Sequence, residues 1–205
     1  MVFDNHPVLS ALTRKALRAA SAKAAARIGT RFAIQRLLLR KKNKERIYNL
    51  LARESASDSM VSCCLPVPGG GRIVLKLNLS DEASRIWYYW GYGHYEEGTT
   101  TLWCKLLERA GTVFDVGANI GRYTFLAATR LQNHGRIHSF EPNPEVFAWL
   151  SGNLRRNGIA NVCANQIALS DMDGKTTFYL PRNKEWCVGS LIRGFAAKRT
   201  LLRST

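Results

Sequence analysis

The stretch from Val113 to Asn143 constrains this chain more than any other, because it reads as strand, glycine turn, helix and second strand in immediate succession. Thr112 to Val116 is short, apolar and β-branched, the pattern of a strand buried on both faces of a parallel sheet. It stops at Gly117. Gly117 and Gly121, with Asn119 between them, allow a tight turn and a close ligand approach, and Arg122 to Leu131 reads as the helix that follows. Arg136 to Phe140 gives a second strand, with Glu141 at its carboxyl end, twenty positions after Gly121. In a doubly wound sheet the carboxyl ends of adjacent strands face the ligand crevice, so a carboxylate there can accept the hydroxyls of a ribose.

The spacing alone does not choose the cofactor. A dinucleotide site wants G-x-G-x-x-G with pyrophosphate on the helix N-terminus, whereas this turn runs Asp115-Val116-Gly117-Ala118-Asn119-Ile120-Gly121. Asp115 would repel a pyrophosphate but suits a ligand carrying an ammonium group, such as the methionine end of S-adenosylmethionine. A methyl donor is therefore favoured over NAD, with a nicotinamide-dependent oxidoreductase as the competing enzyme class.

Several ordered blocks now coincide: Phe114 to Thr124, Ser139 to Pro144, Asn153 to Asn157, Asn161-Val162, Ala168 to Asp171, and upstream Gly93-His94-Tyr95-Glu96. From about Ile73 to Ser190 the chain resembles the FkbM family of class I S-adenosylmethionine-dependent methyltransferases. The resemblance implies an α/β fold with a Rossmann-like parallel sheet and S-adenosylmethionine as cofactor. It implies that Asp115 holds the methionine amino group and that Gly117, Asn119 and Gly121 shape the loop beneath it. Glu141 would bind the ribose, Asn143 flank the adenosine, the strand end from Ala168 to Asp171 border the adenine, and Glu96 reach the methionine end. Turn glycines and helix-capping Asp or Asn residues are the competing structural readings. The acceptor implied is a hydroxyl on a sugar, glycan, lipid or secondary metabolite, and His94 is the nearest candidate general base.

Past Ser190 the resemblance ends: the family's further strands do not follow, and Arg193 to Thr205 reads as a basic tail without a strand. That expectation leaves Val113 to Val116 on a sheet edge, an aggregation liability unless another chain completes the sheet. It also raises a third class of function, a catalytically inactive fragment serving as a basic binding module.

Charge supports the last idea in part. The formal net charge is +15, and Arg14, Lys15, Arg18, Lys23, Arg27, Arg31, Arg36, Arg40, Lys41, Lys42, Lys44, Arg46 and Arg53 crowd the N-terminal segment. Leu12, Ala16 and Ala19, then Phe32, Leu37 and Leu39, recur among them, so residues 1–60 read as basic helices and linker ahead of a partial methyltransferase domain over 61–205. Such helices pack on their own domain as solvated faces or touch an anionic membrane surface. Nucleic acid is the weaker expectation, because no aromatic platform interleaves the charges. No apolar run reaches transmembrane or secretory length, which makes a cytoplasmic, membrane-peripheral protein the simplest expectation.

The remaining segments are read locally. Ser55 to Met60 and Pro66 to Gly71 read as linker and turn, and Ile73 to Leu79 as a strand. Trp87-Tyr88-Tyr89-Trp90 reads as packing ahead of an acceptor wall. Pro144 to Asn157 forms a helix capped by Asn143, and Val162 to Leu169 a third strand. Lys175 to Leu180 is expected to fold back as an antiparallel strand through a hairpin at Asp171 to Gly174. The cysteines lack C-x-x-C spacing and the histidines lack ligand spacing, so no metal is expected.

Overall fold

The structure, a computed structural model, describes residues 60–93, 95–171, 173–180 and 189–191, together with the backbone of 201–203. The basic segment expected over 1–60 lies outside the described residues except for Met60, and so does His94.

An antiparallel hairpin comes first, β1 (Met60–Pro66) paired with β2 (Arg72–Asn78) in the register Val61↔Leu77 and Leu65↔Ile73. The alternation expected around Ile73 is present: Ile73, Leu75 and Leu77 are buried, while Val74 and Lys76 face outward. β1 occupies a stretch that the sequence reading left without an element, because Ser62, Cys63 and Cys64 blur its period.

Asp81 caps α1 (Glu82–Trp90), its Oδ2 accepting the Ser84 N–H at 2.8 Å. The aromatic run sits on this helix, wholly buried, with Trp87 against Tyr92 and Phe125 at ring distances of 5.8 Å. A fully buried large side chain contributes about 1.5–3 kcal/mol, so the run is packing, and no free wall. α2 (Glu97–Leu107) follows, an element the sequence analysis did not assign.

The main sheet runs in the order β3-β4-β5, all parallel: β3 (Thr112–Val116), β4 (Arg136–Phe140) and β5 (Val162–Asn165). Helix α3 (Arg122–Leu131) joins β3 to β4, and α4 (Pro144–Arg156) joins β4 to β5, giving the Rossmann-like α/β class. Both helices share one core with the sheet, where Phe125, Leu126, Val146, Leu150 and Leu154 meet Val113 and Ile137.

Three expectations need correction. β3 is not buried on both faces: Val113 and Asp115 point into the core, whereas Phe114 and Val116 are 62% and 61% exposed. β5 stops at Asn165 and does not reach Leu169. The later strand, β6 (Thr177–Tyr179), does not fold back on β5; it pairs antiparallel with β7 (Leu201–Arg203), inside the tail that was read as strandless. Strand pairing is non-local, and a hairpin-like spacing cannot name the partner.

Among the described residues β3 is an edge of the three-stranded sheet. None of their helices is long and apolar enough to cross a membrane.

Candidate functional site

The site lies where β3 and β4 end side by side. The N–H groups of Gly117 and Ala118 both donate to the Phe140 carbonyl at 2.9 Å, which pulls the turn across the end of β4. Gly117, Asn119 and Gly121 all have left-handed φ, at 74°, 53° and 94°.

The two glycines differ in what surrounds them. A Cβ on Gly121 would stand 2.5 Å from Leu150 Cδ1 and 3.0 Å from the Phe125 ring, so this glycine is required by packing under the turn. A Cβ on Gly117 would meet nothing within 4 Å, so its backbone borders open space. Asn119 tolerates its φ because its Oδ1 accepts the Ile120 N–H at 2.6 Å, a local bond of the sort that lets Asn enter this region.

Glu141 is held by the backbone on both sides. Its Oε2 accepts the Asn119 N–H and its Oε1 the Asn143 N–H, each at 2.9 Å. Burial pushes its carboxyl above the ordinary carboxylate range, the two N–H donors pull it back, and the nearby Asp115 raises it further. Each oxygen keeps a lone pair beyond the one it uses.

Asp115 lies one strand over and is similarly enclosed. Its Oδ2 accepts the Thr124 hydroxyl at 2.5 Å, and Thr124 Oγ1 lies 2.8 Å from Ser139 Oγ. With the Thr124 proton directed to the carboxylate, the Ser139 hydroxyl donates to Thr124. Desolvation raises the Asp115 carboxyl, and the Thr124 bonds lower it in part.

Asn143 is the N-cap of α4, its Oδ1 accepting the Glu145 N–H at 3.1 Å, and it is almost fully buried. Ala168 lies beyond the end of β5 and is on no strand, so the expected strand-end position for it is not present. Glu96 precedes α2 with a left-handed φ of 51°, and its Oε2 accepts the Tyr123 hydroxyl at 2.8 Å.

The structure thus gathers Asp115, Gly117, Asn119, Gly121 and Glu141 at one sheet end, with the Asn143 backbone closing the Glu141 clasp. The sequence analysis missed Thr124 and Ser139. A signal existed: Ser139 is a hydroxyl in a strand otherwise fit for the core, and it stands in register with Asp115.

Two buried carboxylates with spare acceptor capacity beside a glycine turn suit a ligand with ribose hydroxyls and an ammonium group. Fold and strand order together define a Rossmann-like α/β domain. Residues 115–201 match the family described as the Methyltransferase FkbM domain. A curated relative, 31-O-demethyl-FK506 methyltransferase FkbM from Streptomyces tacrolimicus, is 38% identical over 105 residues, covering 48% of this chain and 36% of that protein. The chain therefore spans about a third of the length of this relative.

Among solved structures, the chain overlaps in part with a SAM-dependent methyltransferase from Agrobacterium tumefaciens (12% identity, TM-score 0.37, 52% of this chain and 32% of that one). It also overlaps with P. horikoshii TYW2 in complex with MeSAdo (17% identity, TM-score 0.38, 66% of this chain and 52% of that one).

Proposed function

We propose that this chain carries the cofactor-binding part of an FkbM-type, S-adenosylmethionine-dependent methyltransferase acting on a hydroxyl. The observation that carries the reading is the Glu141 carboxylate, clasped by the Asn119 and Asn143 N–H groups beside buried Asp115. A carboxylate oriented by two backbone donors before any ligand arrives is pre-organised to accept a vicinal pair of ribose hydroxyls. Asp115, drawn off the ordinary range by burial, gains most from a cationic partner, which the amino group of the methionine end supplies. Gly117 leaves room for the backbone to approach that end.

When bound, the cofactor supplies the activated methyl group, and the protein's part is to bind, orient and exclude water. The hydroxyl acceptor rests on the relative whose name describes an O-methylation, and a small molecule, glycan or lipid would each present such a group. A location in the cytoplasm, with the basic segment touching a membrane surface, is consistent with that range of acceptors.

Calorimetric titration of the whole chain with S-adenosylhomocysteine tests the reading. Micromolar binding by wild type, at least tenfold weaker binding by Glu141→Gln, and no competition by NAD are expected. A folded wild type that binds neither would sink the proposal, and preference for NAD would favour an oxidoreductase.

A further inference from the structure

The first two residues of α3 are tied to the segment that precedes α2. Arg122 donates from one guanidinium nitrogen to the Gly91 carbonyl at 2.5 Å and from the other to the Tyr95 carbonyl at 2.7 Å. Its guanidinium carbon lies 5.1 Å from the Tyr92 ring centroid and 5.6 Å from that of Tyr95. The Tyr92 hydroxyl returns a bond to the Arg122 carbonyl at 2.9 Å. One residue on, the Tyr123 hydroxyl donates to Glu96 Oε2 at 2.8 Å while its ring rests edge-on against Trp103 at 5.6 Å.

These contacts matter for two reasons. Glu96 sits in a left-handed conformation that a residue with a Cβ adopts only when its surroundings impose it. Arg122 directly follows Gly121, so whatever fixes Arg122 fixes the end of the glycine turn as well. A planar fork that reaches two carbonyls while lying over two rings is a role that only arginine fills, since lysine offers a single point charge.

We propose that Arg122 and Tyr123 are positioning residues: a clamp on Gly91, Tyr95 and Glu96 that presents the Glu96 carboxylate to the cationic methionine end of the cofactor. Tyr123 fixes one carboxylate oxygen and leaves the other to the ligand. Arg122 holds the backbone on either side of the turn, so that Glu96 moves with α3 and the Gly117 to Gly121 loop as one body. This inference rests on the cofactor reading above.

The test is a double-mutant cycle read by S-adenosylhomocysteine affinity in the full chain, with thermal unfolding as the check on folding. Tyr123→Phe and Arg122→Lys each weaken binding about fivefold to tenfold, and Glu96→Gln about tenfold. In the Glu96→Gln background Tyr123→Phe adds no further loss, because it acts through that carboxylate, whereas Arg122→Lys keeps the share of its loss that comes through the end of the glycine turn. A residue that merely stabilises the domain would instead give additive losses. Multiplying effects of Tyr123→Phe and Glu96→Gln, or wild-type affinity in Tyr123→Phe and Arg122→Lys while Glu141→Gln is impaired, overturns the clamp alone. Absence of binding by wild type overturns the clamp together with the cofactor reading.

Discussion

At the outer edge of β2 and at the ends of β3 and β4, side chains complete backbone hydrogen bonding, but they are amides in one place and carboxylates in the other. At the end of α4, one turn apart, Asn153 and the C-cap Asn157 act as a substitute strand. Asn153 takes the Lys76 N–H at 2.8 Å and donates to the Lys76 carbonyl at 3.0 Å; Asn157 does the same for Val74 at 2.7 and 2.8 Å. An amide offers one donor group and one acceptor, so it matches a strand edge completely and closes it to other chains. A carboxylate only accepts. Glu141 satisfies two N–H groups, retains acceptor capacity and carries a charge that burial disfavours. The amide pair spends its bonding capacity on the fold, whereas the carboxylate keeps some to spare.

That contrast can be broken by exchange. Asn153→Ala orphans both the Lys76 N–H and C=O, and at about 1–3 kcal/mol for each unsatisfied group the loss is about 3 kcal/mol. Urea unfolding measures it, and S-adenosylhomocysteine affinity in the surviving folded fraction stays at the wild-type value. Should affinity fall in step with stability, the edge and the site are not separate.

Glu141→Gln should show the reverse pattern. The Gln amide nitrogen opposes one of the two backbone donors, a loss of about 1–2 kcal/mol of stability, while ligand binding falls at least tenfold.

Asp115→Asn sharpens the comparison further, because an isosteric amide still accepts from Thr124 yet carries no buried charge. Stability should rise by on the order of 1 kcal/mol, as is common when a site residue is relieved of a functional strain, and ligand affinity should drop. A destabilised Asp115→Asn would show that the carboxylate belongs to the fold.

The pH dependence follows with its sign. Asp81, Asp115 and Glu141 are all raised by burial above ordinary values of 3.8, 3.8 and 4.5. Between those values and the higher folded ones the native state binds more protons than the unfolded chain, so their contribution to stability declines as pH rises through that window. Asp115→Asn should flatten the decline, and thermal unfolding between pH 4 and pH 7 would reveal it. The smallest effect is reserved for the open face of β3, where Phe114→Lys should change stability by no more than about 0.5 kcal/mol. A loss approaching that of Asn153→Ala would mean this face is covered.

Parts of this arrangement were legible before any coordinates. β3, β4, α3 and α4 fall where apolar period, caps and glycines indicate, since those signals act over a few residues. Asp115 and Glu141 stood out as carboxylates at the ends of strands fit for burial. The Asn153 to Asn157 spacing was visible as a block, yet its purpose was not, because its partners Val74 and Lys76 lie far upstream and their free edge exists only after the hairpin docks on α4. The same holds for Arg122, an arginine at a helix start whose two carbonyl partners come from a turn ahead of α2.

By itself the sequence determined the βαβ order, the glycine turn and the charge type at its ends, because helix and strand periods and turn chemistry are local properties of the chain. Tertiary structure alone decided which polar groups saturate one another. Asn153 closes an edge, Asn143 caps a helix, Thr124 and Ser139 hold Asp115, and Glu141 keeps acceptor capacity to spare. Each of these outcomes depends on which backbone donors are brought within hydrogen-bond reach, and that is settled by packing between elements distant in sequence.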